Sequence, residues 1–162
     1  MAREYVAADL VSARVDIPGN LQLEPMYRPL IASMLERSAT FRRQCLRLGG
    51  DPGVTVHLFP LGVFWTRGAR ALSRITRDSH GDLHADIFLG GVDDRVELIA
   101  HEFEHVIEQL DQIDLSSKAA LPDTGVRATV STGELFETTR ATLTGLRVAR
   151  EFREVRTVRK GD

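Results

Sequence analysis

The chain has 162 residues, 43% of them hydrophobic and 27% charged, with a formal net charge of −2. These values describe an ordinary globular domain long enough to bury a core without covalent staples, and one domain, residues 1–162, is expected. They offer no electrostatic case for nucleic acid or an anionic membrane surface, and nothing approaches the roughly 18 consecutive apolar residues of a membrane span.

Residues 1–24 are mixed in character, with a turn at Asp16-Ile17-Pro18-Gly19-Asn20 and no basic-then-apolar leader at the start. The expected location is the cytoplasm, or the periplasm or exterior if a leader has been removed. A long helix is predicted from Pro25 to Leu48, with Leu30, Met34, Phe41, Cys45 and Leu48 on its apolar stripe and Gly49-Gly50-Asp51-Pro52-Gly53 ending it. Cys45, the single cysteine, reads as a small core residue and excludes an intrachain disulfide framework or a thiolate cluster. Val54–Leu58 alternates as a strand, with His57 on the face opposite Val54, Val56 and Leu58. The apolar stretch Phe59–Gly68, broken by Pro60, Gly62 and Gly68, suits either a loop folded under the core or a cleft wall. Ala71–Arg77 and Leu83–Leu89 form a predicted hairpin across Asp78-Ser79-His80-Gly81-Asp82.

A helix is predicted over Val96–Leu110, with Asp93 or Asp94 as its cap and Glu97 suiting its dipole. Ile99, Phe103, Val106 and Leu110 make one apolar stripe. Roughly opposite that stripe lies His101-Glu102-Phe103-Glu104-His105, an H-E-x-x-H sequence. Residues four apart share a helix face, so His101 and His105 can direct their imidazoles at one zinc ion. Glu102, one step round the helix, is placed to reach a water on the ion's open position and to act as general base.

Residues 111–131, rich in Asp, Ser, Pro and Gly, are read as a long loop, and a final helix is predicted from Thr132 to Val155. The arginines at its end interleave with Glu151 and Glu154 and suit a solvated face. Catalytic zinc usually has three protein ligands. All five histidines lie at or before His105, so the third ligand is expected to be acidic, and H-E-x-x-H-x-x-G-x-x-H is excluded by Glu108 and Gln112. Glu134 and Glu137, three apart on the predicted last helix, share a face. Glu137 is preferred because Ala141 and Thr144 beside it are small, and Arg140 is expected to orient its carboxylate. Asp111, Asp114 and Asp123 are weaker candidates.

The His101-Glu102-Phe103-Glu104-His105 motif followed by Phe136-Glu137-Thr138-Thr139-Arg140 resembles the gluzincin metallopeptidases, in which a glutamate from a later helix joins the two motif histidines; the order of parts over residues 25–155 is similar. The chain is also similar to short bacterial proteins carrying His-Glu-Phe-Glu-His. The resemblance implies an α+β, zincin-like domain: an N-terminal helix, a three-stranded sheet, the metal helix and a C-terminal glutamate helix. It implies Zn2+ on His101, His105 and Glu137, Glu102 as base, and a peptide or protein substrate added as a strand beside Leu83–Leu89, the expected sheet edge. The chain departs from the family pattern at the charged Glu104, at Ala141 where an aspartate is common, and in lacking a later Tyr or His to stabilise an oxyanion; Arg140 and His84 are the substitutes in view. A zinc-binding regulatory or interaction module without turnover is the alternative, and a helical interaction protein with a chance motif is a third reading.

Overall fold

The computed structural model describes residues 16–62, 70–91, 93–128 and 136–158, the last four without side-chain detail. It is a mixed α and β structure. A short strand β1 (Leu21–Leu23) and a 3-10 turn (Pro25–Tyr27) lead into α1 (Arg28–Arg37) and α2 (Ala39–Gly49). Then come β2 (Val54–Pro60), β3 (Ala71–Arg77), β4 (Leu83–Leu89), α3 (Arg95–Leu110), α4 (Leu115–Ala119), β5 (Val126–Ala128), β6 (Phe136–Thr138) and α5 (Thr139–Val158).

The predicted Pro25–Leu48 helix is two helices. Apolar spacing runs through the break from Met34 to Phe41, seven residues on, which hides it from periodicity. Ser38 is extended (φ −116°, ψ 115°) and its Oγ accepts the Phe41 N–H at 3.0 Å, capping α2. Glu151 of α5 holds this corner: it accepts from Ser38 Oγ at 2.6 Å, from Thr40 Oγ1 at 2.7 Å and from the Thr40 amide at 3.0 Å. Burial raises the Glu151 pKa, but these donors outweigh it and hold the carboxyl below its ordinary value.

The sheet has four strands rather than three, in the order β1-β2-β4-β3. β1, β2 and β4 run parallel, and β3 is antiparallel to β4 across the expected hairpin, Ala71 opposite Leu89 and Arg77 opposite Leu83. Leu83–Leu89 is therefore an interior strand, not the expected edge; the edges are β1 and β3. The order follows from β2 taking β4, not β3, as its parallel neighbour, a long-range choice that no hairpin signal announces. Val54, Val56, Leu58, Leu83, Ala85, Ile87 and Leu89 face the core. On the other face His57 is held by Asp86 (3.3 Å) and Gln22, as a hydrogen-bonded rather than ligating histidine.

The α3 stripe packs as expected: Ile99, Phe103 and Val106 are fully buried, and Phe103 stacks on Phe41 with ring centroids 5.5 Å apart. Cys45 is also in the core, where burial pushes its thiol pKa up to about 12. Asp94 stands at the N-cap of α3 but does not cap it; it is left-handed (φ 61°) and its carboxylate pairs with Arg70 at 2.9 Å. Helix α5 closes over the opposite side of α3. At Gly145 the approach is so tight that a Cβ would stand 2.8 Å from the Glu97 carbonyl oxygen and 3.3 Å from His101 Cβ. Thus α3 is enclosed on two sides, and its polar residues are buried with its apolar ones.

Two further expectations change. The stretch read as a loop contains α4, capped by Asp114 on the Ser117 amide (2.9 Å), and the strand β5. The final helix begins at Thr139, not Thr132, because Thr138 caps it: Thr138 Oγ1 accepts the Ala141 N–H at 3.0 Å. Glu137 consequently lies on a strand. Glu134 and most of the aromatic stretch, residues 63–69, lie outside the described residues. Among the described residues no helix is long and apolar enough to cross a membrane.

Candidate metal centre

His101 and His105 project from the side of α3 that faces β6 and the start of α5. Their Nε2 atoms are 3.0 Å apart, with the rings edge-on. Glu137 comes in from β6, its Oε2 3.1 Å from His101 Nε2. One ligand atom from each of the three lies within 4.8 Å of the others. A tetrahedral ion with bonds near 2.0–2.1 Å keeps its ligand atoms about 3.3 Å apart, so only small side-chain movements separate this cluster from a coordination sphere. Two imidazoles and a carboxylate are also the chemical class of a catalytic zinc site. The three predicted ligands therefore meet in space, although Glu137 arrives from a strand rather than a helix.

The partners behind the ligands were not foreseen. Glu108 accepts from His105 Nδ1 at 2.9 Å. An ionised carboxylate can only accept, so the proton sits on Nδ1 and the Nε2 lone pair is left for a cation. The other Glu108 oxygen accepts from Thr138 Oγ1 at 2.7 Å. Thr138 follows Glu137 in the chain, so one buried carboxylate orients His105 on α3 and anchors the strand that carries Glu137 opposite. The signal was present: Glu108 is three residues after His105 and shares its helix face. Glu108→Gln keeps the size and the reach to Thr138 but removes the charge behind His105. It is expected to lower zinc affinity about 10–100-fold in a folded protein, as losses of such partners do, measured by competition with a chromophoric chelator. Unchanged affinity would remove Glu108 from this role.

Arg140 does not orient Glu137. Its Nε donates to Glu104 at 2.6 Å and its NH1 pairs with Asp111 at 2.9 Å. The second Glu104 oxygen accepts from Gln44 Nε2 at 2.7 Å. The charge inside the motif is thus satisfied by α2 and α5, and Glu104 ties three helices together away from the metal cluster. Asp111 also meets Arg47 at 3.5 Å, and Asp114 caps α4, so neither supplies a ligand to this cluster. His84, the other substitute electrophile, is held by Asp78 at 3.3 Å in the β3–β4 turn region.

Glu102 is buried against β3, where the Ser73 side chain hydrogen-bonds it. Burial raises its pKa above the ordinary carboxylate value, against the pull of His105, Ser73 and His101. His101 is raised too: burial opposes its charged form, but the Glu137, Glu102 and Glu108 carboxylates outweigh burial. The Glu137 pKa is lowered by its bond to His101, with burial acting against that. Protons and a cation would compete for the same atoms, so the affinity of any metal held here is expected to fall as pH drops and His101 takes up its proton, a loss that begins above the usual imidazole range.

Compared with family models, with curated proteins and with solved structures, the chain shows no match.

Proposed function

We propose that this protein is a zinc-dependent peptidase of gluzincin type, a minimal zincin-like α+β domain, with His101, His105 and Glu137 as ligands and Glu102 as general base. The observation that carries the reading is the convergence of those three ligand atoms within 4.8 Å beside a buried carboxylate on the same helix. A zinc ion there would lower the pKa of a water on its open position and polarise a carbonyl. Glu102 would accept a proton from the attacking water and return it to the leaving amine. Its raised pKa suits both steps, since a base works best when its pKa nears the working pH. Glu108 keeps His105 in the ligating tautomer. An extended substrate lies along β3, the edge strand whose Ser73 reaches Glu102, and pairs with its free backbone groups.

A zinc-holding regulatory module without turnover is the second reading. It is favoured by the engagement of Arg140 with Glu104 and Asp111 and of His84 with Asp78, which leaves neither to stabilise an oxyanion. The test is metal analysis of untagged protein followed by a screen against a broad peptide library. The peptidase reading expects about one zinc per chain, cleavage lost on chelation and cleavage restored by zinc. Zinc without any cleavage selects the second reading; no zinc sinks both.

A further inference from the structure

Arg127 stands directly opposite Glu137 in the β5–β6 ladder, so the two side chains leave the hairpin on the same face. An arginine and a glutamate so placed are ready to pair. Here the carboxylate is turned to His101 instead, at 3.1 Å. The Arg127 side chain is exposed and makes no hydrogen bond or ion pair with any described residue. Arg140, the other arginine at this end of α5, is occupied by Glu104 and Asp111.

Arg127 and Glu137 both line a cavity of about 490 Å³, together with Leu143 and the threonines at the start of α5. That is the volume range of small-ligand sites and has room for a substrate side chain. The hairpin wall is anchored. The Thr139 amide donates to the Gly125 carbonyl oxygen at 2.7 Å, and Thr138 is bonded to Glu108. Gly125 is required there: its φ is +71°, and a Cβ would lie 2.9 Å from Thr139 Oγ1. Of the two charged residues that line the cavity, Glu137 is turned to His101, which leaves Arg127 as the one not engaged by a described residue. Leu143, 59% exposed, offers apolar surface beside it.

We infer that Arg127 and this cavity form a specificity subsite taking an acidic side chain next to the bond under attack, a proposal that rests on the peptidase reading. A guanidinium recognises a carboxylate through paired N–H donors, and Leu143 would cover the methylenes of a glutamate. Arg127 is a specificity residue in this account and takes no part in proton transfer.

The experiment uses peptides that differ only by Glu or Gln at single positions flanking the cleaved bond. The zinc-loaded protein is expected to prefer Glu at one position by roughly fivefold in kcat/KM, the scale of an exposed ion pair. Arg127→Ala should abolish that preference while cleaving the Gln peptide as before, and Arg127→Glu should shift it towards Lys. Binding of the same labelled peptides to Glu102→Gln protein, read by fluorescence anisotropy, supplies a readout independent of turnover. An acidic preference that survives Arg127→Ala overturns the proposal. So does cleavage without any acidic preference, or an equal loss of rate on both peptides. If nothing is cleaved but the binding difference exists and depends on Arg127, the subsite stands and the peptidase reading falls. If neither cleavage nor a binding difference is seen, the subsite falls as well.

Discussion

Glu102→Gln is expected to keep its zinc and its fold and to lose peptide hydrolysis by at least about a hundredfold. The amide has the shape of the carboxylate and can still accept the Ser73 hydrogen bond, so the β3–α3 contact survives. It cannot accept a proton from water. General bases contribute roughly 10²- to 10⁴-fold in rate, about 3–5 kcal/mol of barrier, and the other buried or ligand-side carboxylates around His101 and His105 are engaged elsewhere. Glu108 is committed to His105 and Thr138, Glu104 to Gln44 and Arg140, and Glu137 to His101. Removing a desolvated charge should not lower stability, so an unchanged or raised melting temperature is expected alongside the lost rate. Equal cleavage by mutant and parent would remove Glu102 as the base and with it the proposed mechanism.

The second large effect is on the metal. His101→Ala should weaken zinc binding beyond the roughly 10–100-fold that loss of an outer partner costs, because a ligand itself is gone. The fold should tolerate it, since among the described residues the His101 ring bonds only to His105 and Glu137. His105→Ala should lose zinc to a similar degree and also destabilise the protein by about 1–3 kcal/mol, because it strips one partner from the buried Glu108 carboxylate. Glu137→Ala should weaken zinc binding less than either, since the Glu137 side chain is 51% exposed and water can take its place. Zinc content by elemental analysis, with thermal melts for each variant, separates these outcomes. Full occupancy in the His101→Ala/His105→Ala double variant would end the metal-centre assignment.

Most of the sheet and helix pattern was legible because local rules govern it. Alternation marked β2 and β4, the polar five-residue connection marked the β3–β4 hairpin, and the 3.6-residue stripe marked α3. Where local signals conflicted or were short, they failed. The α1–α2 break was masked by a seven-residue step that keeps the apolar side in register, although Ser38 was a capping signal in plain view. The three-residue strands β1, β5 and β6 carry too few positions for alternation to register. The same shortness led Glu137 to be placed on a helix that was expected to start about two turns too early for the Thr138 cap.

By itself, the sequence determined the pair of histidines and the acid beside them, since spacing along one helix is a local property. The lack of any later histidine also made a carboxylate the expected class of third ligand downstream of a His101–His105 pair. Tertiary structure alone decided which carboxylates serve which purpose. Four acidic side chains, Glu102, Glu104, Glu108 and Glu137, are similar in sequence. They diverge because α3 is enclosed by the sheet and α2 on one side and by α5 on the other. Glu104 meets Gln44 and Arg140, Glu108 meets His105 and Thr138, Glu102 meets Ser73, and Glu137 meets His101. Each partner comes from a different distance along the chain. A buried carboxylate takes its role from the donor that satisfies it, and that donor is known only once the helices have packed.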